Sequence, residues 1–339
     1  MRERPKRVTL RDVATESGLS TAAVSYALRG IHVPVETQDR VREVADRLGY
    51  QVDPIARALA SGRTGYVGLL CGSLTDVWQQ GIAADLGRGL LEQDRHALIV
   101  DAAGDPALEA ELATQLVDQR VDALIVLSVD PSGKHWPVLA RRTVLVSVGD
   151  SIPGAATAAE VVFDNAAGVA AALDHLAGHG HRHIAVLTPS STRTPDRPAD
   201  IAVAEVAERL GLTIDLHMSP HDLDGAARLA RTVLDTPSRP SAVFCLADSM
   251  AYGVYSAARD LGLVIPDDVS VLGFDDHQLS GLLTPPMSTF RWPVDELVSS
   301  VVERTVKAID EERHSRRKVL VPVVQRRGSV GRAAVPASS

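Results

Sequence analysis

Residues 9–30 read TLRDVATESGLSTAAVSYALRG, and the placement of hydroxyl, apolar and glycine residues in this stretch decides how the chain begins. Thr9 stands where a hydroxyl caps the first free N–H groups of a helix, and Asp12, three residues on, suits the positive helix end. Leu10, Val13 and Ala14 then make one apolar face. Gly18 offers the left-handed backbone that ends a helix at little cost. Ser20 is the next cap, opening a helix from Thr21 to Arg29 that closes at Gly30. At about 100° per residue, Val24, Ala27 and Leu28 share one side of it, and Ala22, Ser25, Tyr26 and Arg29 share the other. A third helix over Val35 to Leu48 carries Val41, Val44, Ala45 and Leu48 at i, i+3, i+4, i+7 spacing, and Gly49 stops it.

Two helices joined by a glycine-containing turn and closed by a third make a helix-turn-helix. In that motif the second helix enters the DNA major groove by its N-terminal end. Ala22, Ser25, Tyr26 and Arg29 then face DNA: hydroxyls reach base edges or phosphates, a methyl touches thymine, and Arg pairs with guanine or phosphate. The competing reading is a protein-interaction module attached to a small-molecule-binding or enzymatic α/β protein. Downstream, Asp53-Pro54-Ile55-Ala56-Arg57-Ala58-Leu59-Ala60-Ser61-Gly62 supplies a cap, a favoured first helical residue and a stop. Its two turns fall short of the ~12–15 residues an isolated helix needs. Such a helix requires a partner.

Thr9 to Ala14, Gly18-Leu19-Ser20, Ala23-Val24-Ser25, Arg40-Val41, Leu48-Gly49-Tyr50 and Pro54 to Leu59, in this order and spacing, resemble the head of the LacI/GalR (lactose-repressor) family. The resemblance implies that the short segment is a hinge helix, folding on DNA beside its copy from a second subunit. Leu59 is then the apolar wedge that opens the minor groove, with Ala56 and Arg57 beside it. The candidate DNA-binding set is Thr9, Leu10, Ser20, Thr21, Ala22, Ala23, Ser25, Tyr26, Arg29, Tyr50, Ala56, Arg57 and Leu59. Tyr26 departs from the Arg that many members carry. A bidentate Arg–guanine contact is worth ~1–3 kcal/mol of discrimination and Tyr cannot make it, so the operator sequence does not transfer from relatives.

From Tyr66 onward short apolar runs alternate with helical patterns. The strand candidates are Tyr66–Cys71, Ala97–Asp101, Ala123–Val129, Val144–Val148, His183–Thr188, Thr213–Leu216, Ala242–Leu246 and Val269–Phe274. Ala107–Gln119 and Asn165–His179 are helical. Apolar strands separated by helices mean parallel sheets covered on both faces, and the length calls for two lobes. The resemblance continues here through Asp122 to Val126, Phe163-Asp164-Asn165, Gly180 to Ala185, Ala247 to Ala251, Pro266 to Asp276 and Pro285 to Thr289. It implies a type I periplasmic-binding-protein-like body of two doubly wound parallel-sheet lobes. The expected organisation is a small all-α head over 1–51, a hinge and linker over 52–64, and a body over 65–329. Lobe 1 covers about 65–162 and 291–320, and lobe 2 about 163–290 and 321–329, with crossovers near 162, 290 and 320. Residues 330–339 read as a flexible tail.

Ligands in such sheets bind beyond the carboxyl ends of strands. That rule selects the 72–79 loop, Asp101, Ser128, the 188–200 loop, Asp248 and Asp275. By resemblance Asp275 is the hydroxyl-binding carboxylate, and Trp78 and Gln79 take the places of an aromatic pair lining the effector cleft. Trp292 is placed to stack on a ligand. The candidate effector set is Ser73, Asp76, Trp78, Gln79, Arg197, Asp248, Asp275 and Trp292. The competing roles are packing for the two Trp residues, and capping or ion pairing for Asp275. Departures from the family gather here. Ala199 stands where a clamping Arg is usual, with Arg197 two residues earlier, and Ala247 replaces a common Asn. Asp76-Val77-Trp78-Gln79 stands for Asn-Pro-Phe-Phe.

Composition sharpens this. The 339 residues carry a net charge of −8, which by itself speaks against a nucleic-acid partner. The charge is uneven, at +3 over residues 1–64 and −11 over the rest. No apolar run reaches the ~18 residues of a membrane helix. The basic start lacks an apolar h-region, so no secretory signal is expected. Only Cys71 and Cys245 occur, against a disulfide framework or cysteine zinc site. No G-x-G-x-x-G follows the first strand, and no P-loop or G-x-S-x-G occurs. His175, His179, His181 and His183 cluster without metal-ligand spacing. The Arg313–Lys318 basic run, just before the last strand, reads as a solvated loop. The expectation is a cytoplasmic, homodimeric DNA-binding regulator answering to a small molecule, a sugar by analogy. No catalytic residue, metal, cofactor or membrane partner is expected.

Overall fold

The computed structural model describes residues 8–50, 62–189, 198–220 and 222–333, with the Arg29 side chain outside it. The chain divides into two compact units, Met1–Thr64 and Gly65–Ser339.

In the first unit the helices fall where the capping residues put them: α1 (Leu10–Ser17), α2 (Thr21–Arg29) and α3 (Val35–Leu48). Thr9 and Asp12 form a reciprocal capping box, Ser20 Oγ accepts from the Ala23 amide at 3.2 Å, and Gly18, Gly30 and Gly49 end the three helices with φ near +70°. Val13, Ala14, Val24, Ala27, Val41, Val44 and Ala45 are buried together, and Leu10, Leu19, Leu28 and Tyr50 pack around them. The hinge segment, with Ala56, Arg57 and Leu59, lies outside the described residues.

The second unit holds two parallel sheets. The first is built from β1 (Tyr66–Cys71), β2 (His96–Asp101), β3 (Ala123–Val126), β4 (Val144–Gly149), β5 (Ala159–Phe163) and β11 (Lys318–Leu320), in the order β11-β5-β4-β3-β1-β2. Helices α4 (Val77–Leu91), α5 (Pro106–Asp118), α6 (Trp136–Leu139) and α11 (Val294–Glu311) cover it. Leu69 and Ile125 point into one apolar cluster, Leu70 and Leu124 into another, so both faces are buried and the strands read as unbroken apolar runs. The second sheet has the order β7-β6-β8-β9, from β6 (His183–Thr188), β7 (Thr213–Met218), β8 (Ala242–Cys245) and β9 (Ser270–Leu272). Around it lie α7 (Asn165–Gly178), α8 (Pro198–Leu210), α9 (Leu223–Leu234) and α10 (Asp248–Asp260). A separate antiparallel ribbon joins β10 (Thr289–Arg291) to β12 (Val323–Gln325).

Several boundaries differ from the sequence reading, each for a local reason. The strand expected over Ala123–Val129 stops at Val126, because the buried Glu109 carboxylate takes the Val129 and Asp130 amides. The strand expected over Val269–Phe274 shortens to Ser270–Leu272, because Gly273 and Asp275 turn their amides to the carbonyls of Ser288 and Phe290. Strands β5, β10, β11 and β12 are absent from the candidates; three of them have three residues each, too few to show a period. Residues 313–317 form a largely exposed loop that leads into β11, with one more strand, β12, after it. Lys318 opens β11, where it pairs with Glu296, and Arg317 pairs with Glu160 at 2.8 Å. Residues 330–333 are no loose tail: Gly331 N–H donates to Ser270 Oγ at 3.0 Å, Ala333 N–H to the His179 carbonyl at 2.9 Å, and His181 Nε2 meets the Gly331 carbonyl at 3.1 Å. Residues 334–339 lie outside the described residues.

Gly253 lets α9 and α10 touch: a Cβ there would sit 2.6 Å from the Ala227 nitrogen. Gly81, in α4, meets nothing within 4 Å. Gly253→Ala is expected to cost ~1–3 kcal/mol through forced separation of the two helices, lowering the melting temperature by several degrees. Gly81→Ala is expected to be neutral or stabilising by up to ~1 kcal/mol. Equal thermal shifts for the two variants would contradict this packing.

Candidate nucleic-acid interface and ligand cleft

In the head, α2 turns Val24 and Ala27 fully inward and leaves Thr21, Ala22 and Tyr26 exposed, with Ser25 half-buried. Tyr26 keeps 39% of its surface in solvent, unusual for a large ring in so small a unit. Ser20 and Thr9 are occupied as caps, and Leu10 and Tyr50 lean on the head's core. Ala23 is half-buried. The side chain of Arg29 lies outside the described residues.

In the body, the loops after β1, β3, β4, β6 and β8 converge on a cleft of ≈ 170 Å³ between the two sheets. Six of the expected effector residues line it: Ser73, Asp76, Trp78, Gln79, Asp275 and Trp292. Each is placed by a specific bond. Asp76 caps α4, accepting from the Trp78 amide at 3.0 Å, and Gln79 Oε1 accepts from the Ser73 amide at 3.2 Å. Ser73 Oγ and Thr75 Oγ1 bond at 2.7 Å. Asp101 ties this loop to the one after β2, its Oδ1 accepting from the Leu74 amide and the Ala103 amide. The aromatic wall is a chain of ring contacts. Phe163 meets Trp78 edge-on at 5.6 Å and stacks on Trp292 at 4.2 Å, and Trp292 meets Phe274 edge-on at 5.4 Å. Trp292 is therefore both core and cleft wall. Trp78 Nε1 is shut off from solvent and has no hydrogen-bond partner among the described residues. A buried donor in that state is what a ligand acceptor would satisfy.

Two expectations change. Asp248 is not in the cleft lining; it is buried, and its carboxylate accepts from Ser280 Oγ, Thr289 Oγ1 and the His277 amide. Its role is to hold chain segments together. Arg197 lies outside the described residues. Ser128 and the ends of the 188–200 loop, Thr188 and Asp200, line the cleft as the strand-end rule selects, whereas Phe163, Asp150 and Asn165 are cleft residues that the sequence reading passed over. Asn165 Nδ2 donates to Asp150 at 3.3 Å and Thr188 Oγ1 to Asp200 at 2.6 Å. The signal for Phe163, Asp150 and Asn165 is position at or just past the ends of β4 and β5, the rule that selects Asp101 and Ser128.

Charge in this region is costly. Burial, then the nearby Asp76 and Asp248, push the Asp275 carboxyl well above the usual carboxylate range, against hydrogen bonds from Trp292 and the Asp248 amide. Asp275 also has φ +109°, a conformation rare outside glycine, so its carboxyl is placed by the fold at the expense of its backbone. Burial raises Asp248 and Glu109 each to about 7. Burial also pushes the Cys71 thiol up to about 12, an inert group. Among the described residues no group of three or more His, Cys, Asp or Glu is arranged to hold a metal ion. His179 Nδ1 bonds the His175 carbonyl, and His183 bonds Asp215. No helix of the described residues is long and apolar enough to cross a membrane.

Residues 9–53 match the family model for bacterial regulatory proteins of the lacI family, and residues 173–330 match the periplasmic binding protein-like domain. The chain carries a lacI-family DNA-binding domain and a periplasmic-binding-protein-like domain. Among its relatives, the ribose operon repressor of Escherichia coli K12 is 28% identical over 335 residues, covering 95% of this chain and 99% of that protein. The HTH-type transcriptional repressor PurR of Vibrio parahaemolyticus is 26% identical over 314 residues, covering 91% and 94%. The solved lac repressor dimer, bound to operator and the anti-inducer ONPF, shares the fold with TM-score 0.83 at 21% identity, covering 96% and 100%. The transcriptional regulator CelR in complex with cellobiose aligns with TM-score 0.67 at 24% identity, covering 95% and 100%.

Glu109 and Asp248 carry a pH signature for this periplasmic-binding-protein-like body. A carboxyl whose folded pKa is raised stabilises the fold most below its unfolded pKa, ~4, and loses that contribution as pH rises through about 7. Glu109→Gln, neutral throughout, is expected to show a smaller drop in melting temperature between about pH 5 and about pH 8 than the parent chain. An unchanged drop would mean that the two amide bonds keep Glu109 ionised across the range.

Proposed function

We propose that this chain is a sequence-specific DNA-binding transcriptional repressor, working in the cytoplasm as a homodimer on a near-palindromic operator. It answers to a small molecule held in the cleft between its lobes, a sugar by likeness to its relatives. The observation that carries the reading is α2: Val24 and Ala27 are buried in the head's core with Leu28 packed beside them, and Thr21, Ala22 and Tyr26 face outward. A lacI-family match over residues 9–53 supports the same conclusion. The relatives named above are transcriptional repressors, which supports a binding function and not a catalytic one.

In this reading Thr21, Ala22, Ser25, Tyr26 and Arg29 read bases and nearby phosphates. Paired hinge segments place Leu59 in the minor groove between Ala56 and Arg57 and their copies. The head ends near residue 51 and the hinge near 64. Lobe 1 comprises about 65–162 and 291–320, and lobe 2 about 163–290 and 321–329. The effector contacts Trp78, Gln79, Asp275 and Trp292, with Ser73, Asp76 and Arg197 around it. A ligand changes DNA binding only by preferring one of two lobe arrangements, so its effect on operator affinity measures that preference.

The full chain is expected to retard duplex DNA carrying a near-palindromic site, with affinity falling steeply as salt rises, because phosphate contacts release counterions. Leu59→Ala is expected to weaken specific binding at least tenfold with little change in melting temperature. Failure to retard any upstream fragment at low salt would refute the reading. An equal loss of stability in Leu59→Ala would make Leu59 a core residue. For the effector, a metabolite that raises the melting temperature of the parent chain should lose that shift in Asp275→Asn.

A further inference from the structure

The lining of the cleft is one-sided in charge. Among the described residues it offers four carboxylates, Asp76, Asp150, Asp200 and Asp275, and no Lys, Arg or His. Asp76 caps α4, Asp150 accepts from Asn165 and Asp200 accepts from Thr188, so these three have work within the fold. Asp275 stands apart. It is 8% exposed, and the groups that act on it most are the carboxylates of Asp76 and Asp248, the Trp292 ring and the Asp248 amide. None of these carries positive charge. Burial and the acidic neighbours favour the protonated carboxyl, and a cation beside it is what would restore the ionised form. The wall that adjoins it is aromatic: Trp78, Phe163, Phe274 and Trp292 all line the cleft. Phe163 and Trp292 stack at 4.2 Å, with Trp78 edge-on to the first at 5.6 Å and Phe274 to the second at 5.4 Å. Ring faces carry the negative side of the quadrupole and attract ammonium groups. Ala199 and Ala247, also in the lining, bring methyl groups and no side-chain donor or acceptor. The buried Trp78 Nε1 has no hydrogen-bond partner among the described residues, so a fitting ligand also brings an acceptor oxygen.

We propose, on the reading of this cleft as the effector site, that its ligand is an amino sugar: a protonated amine set against Asp275 and the aromatic wall, with a hydroxyl oxygen for Trp78 Nε1. Two ligand classes compete for such a site. A neutral sugar gives Asp275 one ordinary hydrogen bond and leaves its other hydroxyls facing the methyl groups of Ala199 and Ala247. An ammonium at the same ring position makes a charge-assisted bond, about twice as strong, and the ring faces add to it. The cleft's buried acid, its aromatic faces and its lack of a described base all favour the second. An amino sugar also keeps the polyhydroxyl body that the likeness to sugar-responsive relatives suggests, and narrows it to the cationic members.

The test is calorimetric titration of the full chain at about pH 6, where the amines are protonated. Glucosamine, galactosamine and mannosamine are each compared with two neutral counterparts. The parent hexose keeps the ring and puts a hydroxyl in place of the amine, and the N-acetyl form keeps the nitrogen without its charge. At least one of the three amines is expected to bind about 10-fold or more tightly than both of its counterparts. Asp275→Asn keeps the shape of the side chain and should cut that preference to about 2-fold or less. Its melting temperature without sugar shows whether it folds, and if it does not, the comparison of sugars on the parent chain decides alone. Neutral sugars that bind as well as the amines would overturn the proposal and leave the effector reading intact. A preference for the amine that survives in folded Asp275→Asn would do the same. Binding by none of these sugars would also overturn it. If a wider metabolite screen by thermal shift then finds no compound whose effect Asp275→Asn removes, the reading of the cleft falls with it.

Discussion

The carboxylate of Asp248, in the first turn of α10, accepts three hydrogen bonds from two separate parts of the chain: Ser280 Oγ at 2.5 Å and the His277 amide at 2.9 Å from one turn, and Thr289 Oγ1 at 2.7 Å from β10. Its own amide donates to Asp275. Gly273 has no Cβ because that atom would collide with the same carboxylate. The loop after β9, the turn over 277–281 and strand β10 are thus gathered around one buried acid. Next to it, Asp276 joins Arg291 and Arg327 at 2.6 Å each, tying this loop to strand β10 and to the segment just past β12. Each donor left unpaired in such a site costs ~1–3 kcal/mol, so the arrangement holds only as a set. Asp275, which lines the cleft, is held by it through the Asp248 amide, and Trp292 follows directly on Arg291, which pairs with Asp276.

The cleft follows from that support. Parallel strands end together, their loops converge, and the residues at those ends share one space without being near in sequence. Aromatic rings from β5, α4 and the segments after β9 and β10 then pack edge to face or stacked, each supporting the next. Asp275 is held in a backbone conformation that a non-glycine residue adopts only under constraint, and its carboxyl is desolvated. Strain and burial of this kind collect where a ligand is to be met.

Much of this is legible in the amino-acid sequence. The three head helices begin and end at their caps because capping is local chemistry: Thr9 with Asp12, Ser20 with Ala23, and the three glycines. Strands β1 and β6 match the apolar runs residue for residue, since strands buried on both faces leave an unbroken signal. What escapes the sequence is non-local. No pattern around residues 123–129 shows that Glu109, some twenty residues earlier, ends the strand by taking two amides. Asp248 reads as a cleft residue because sequence places it at a strand end but not which way its side chain turns. Residues 330–333 look like a tail because their anchors, Ser270, His179 and His181, are far away in the chain.

The net charge of −8 conceals a +3 head and a −11 body. On the proposed reading, the head and hinge touch DNA and repulsion keeps the acidic body away. So small a positive charge would give weak binding alone, and on that reading two heads in register make it specific. Hydroxyl-radical footprinting of a duplex selected by the full chain tests that claim most directly. The account predicts two protected half-sites related by a dyad, with altered minor-groove reactivity at the centre where the hinges meet. A single unsymmetrical footprint, or protection that leaves the centre unchanged, would contradict it.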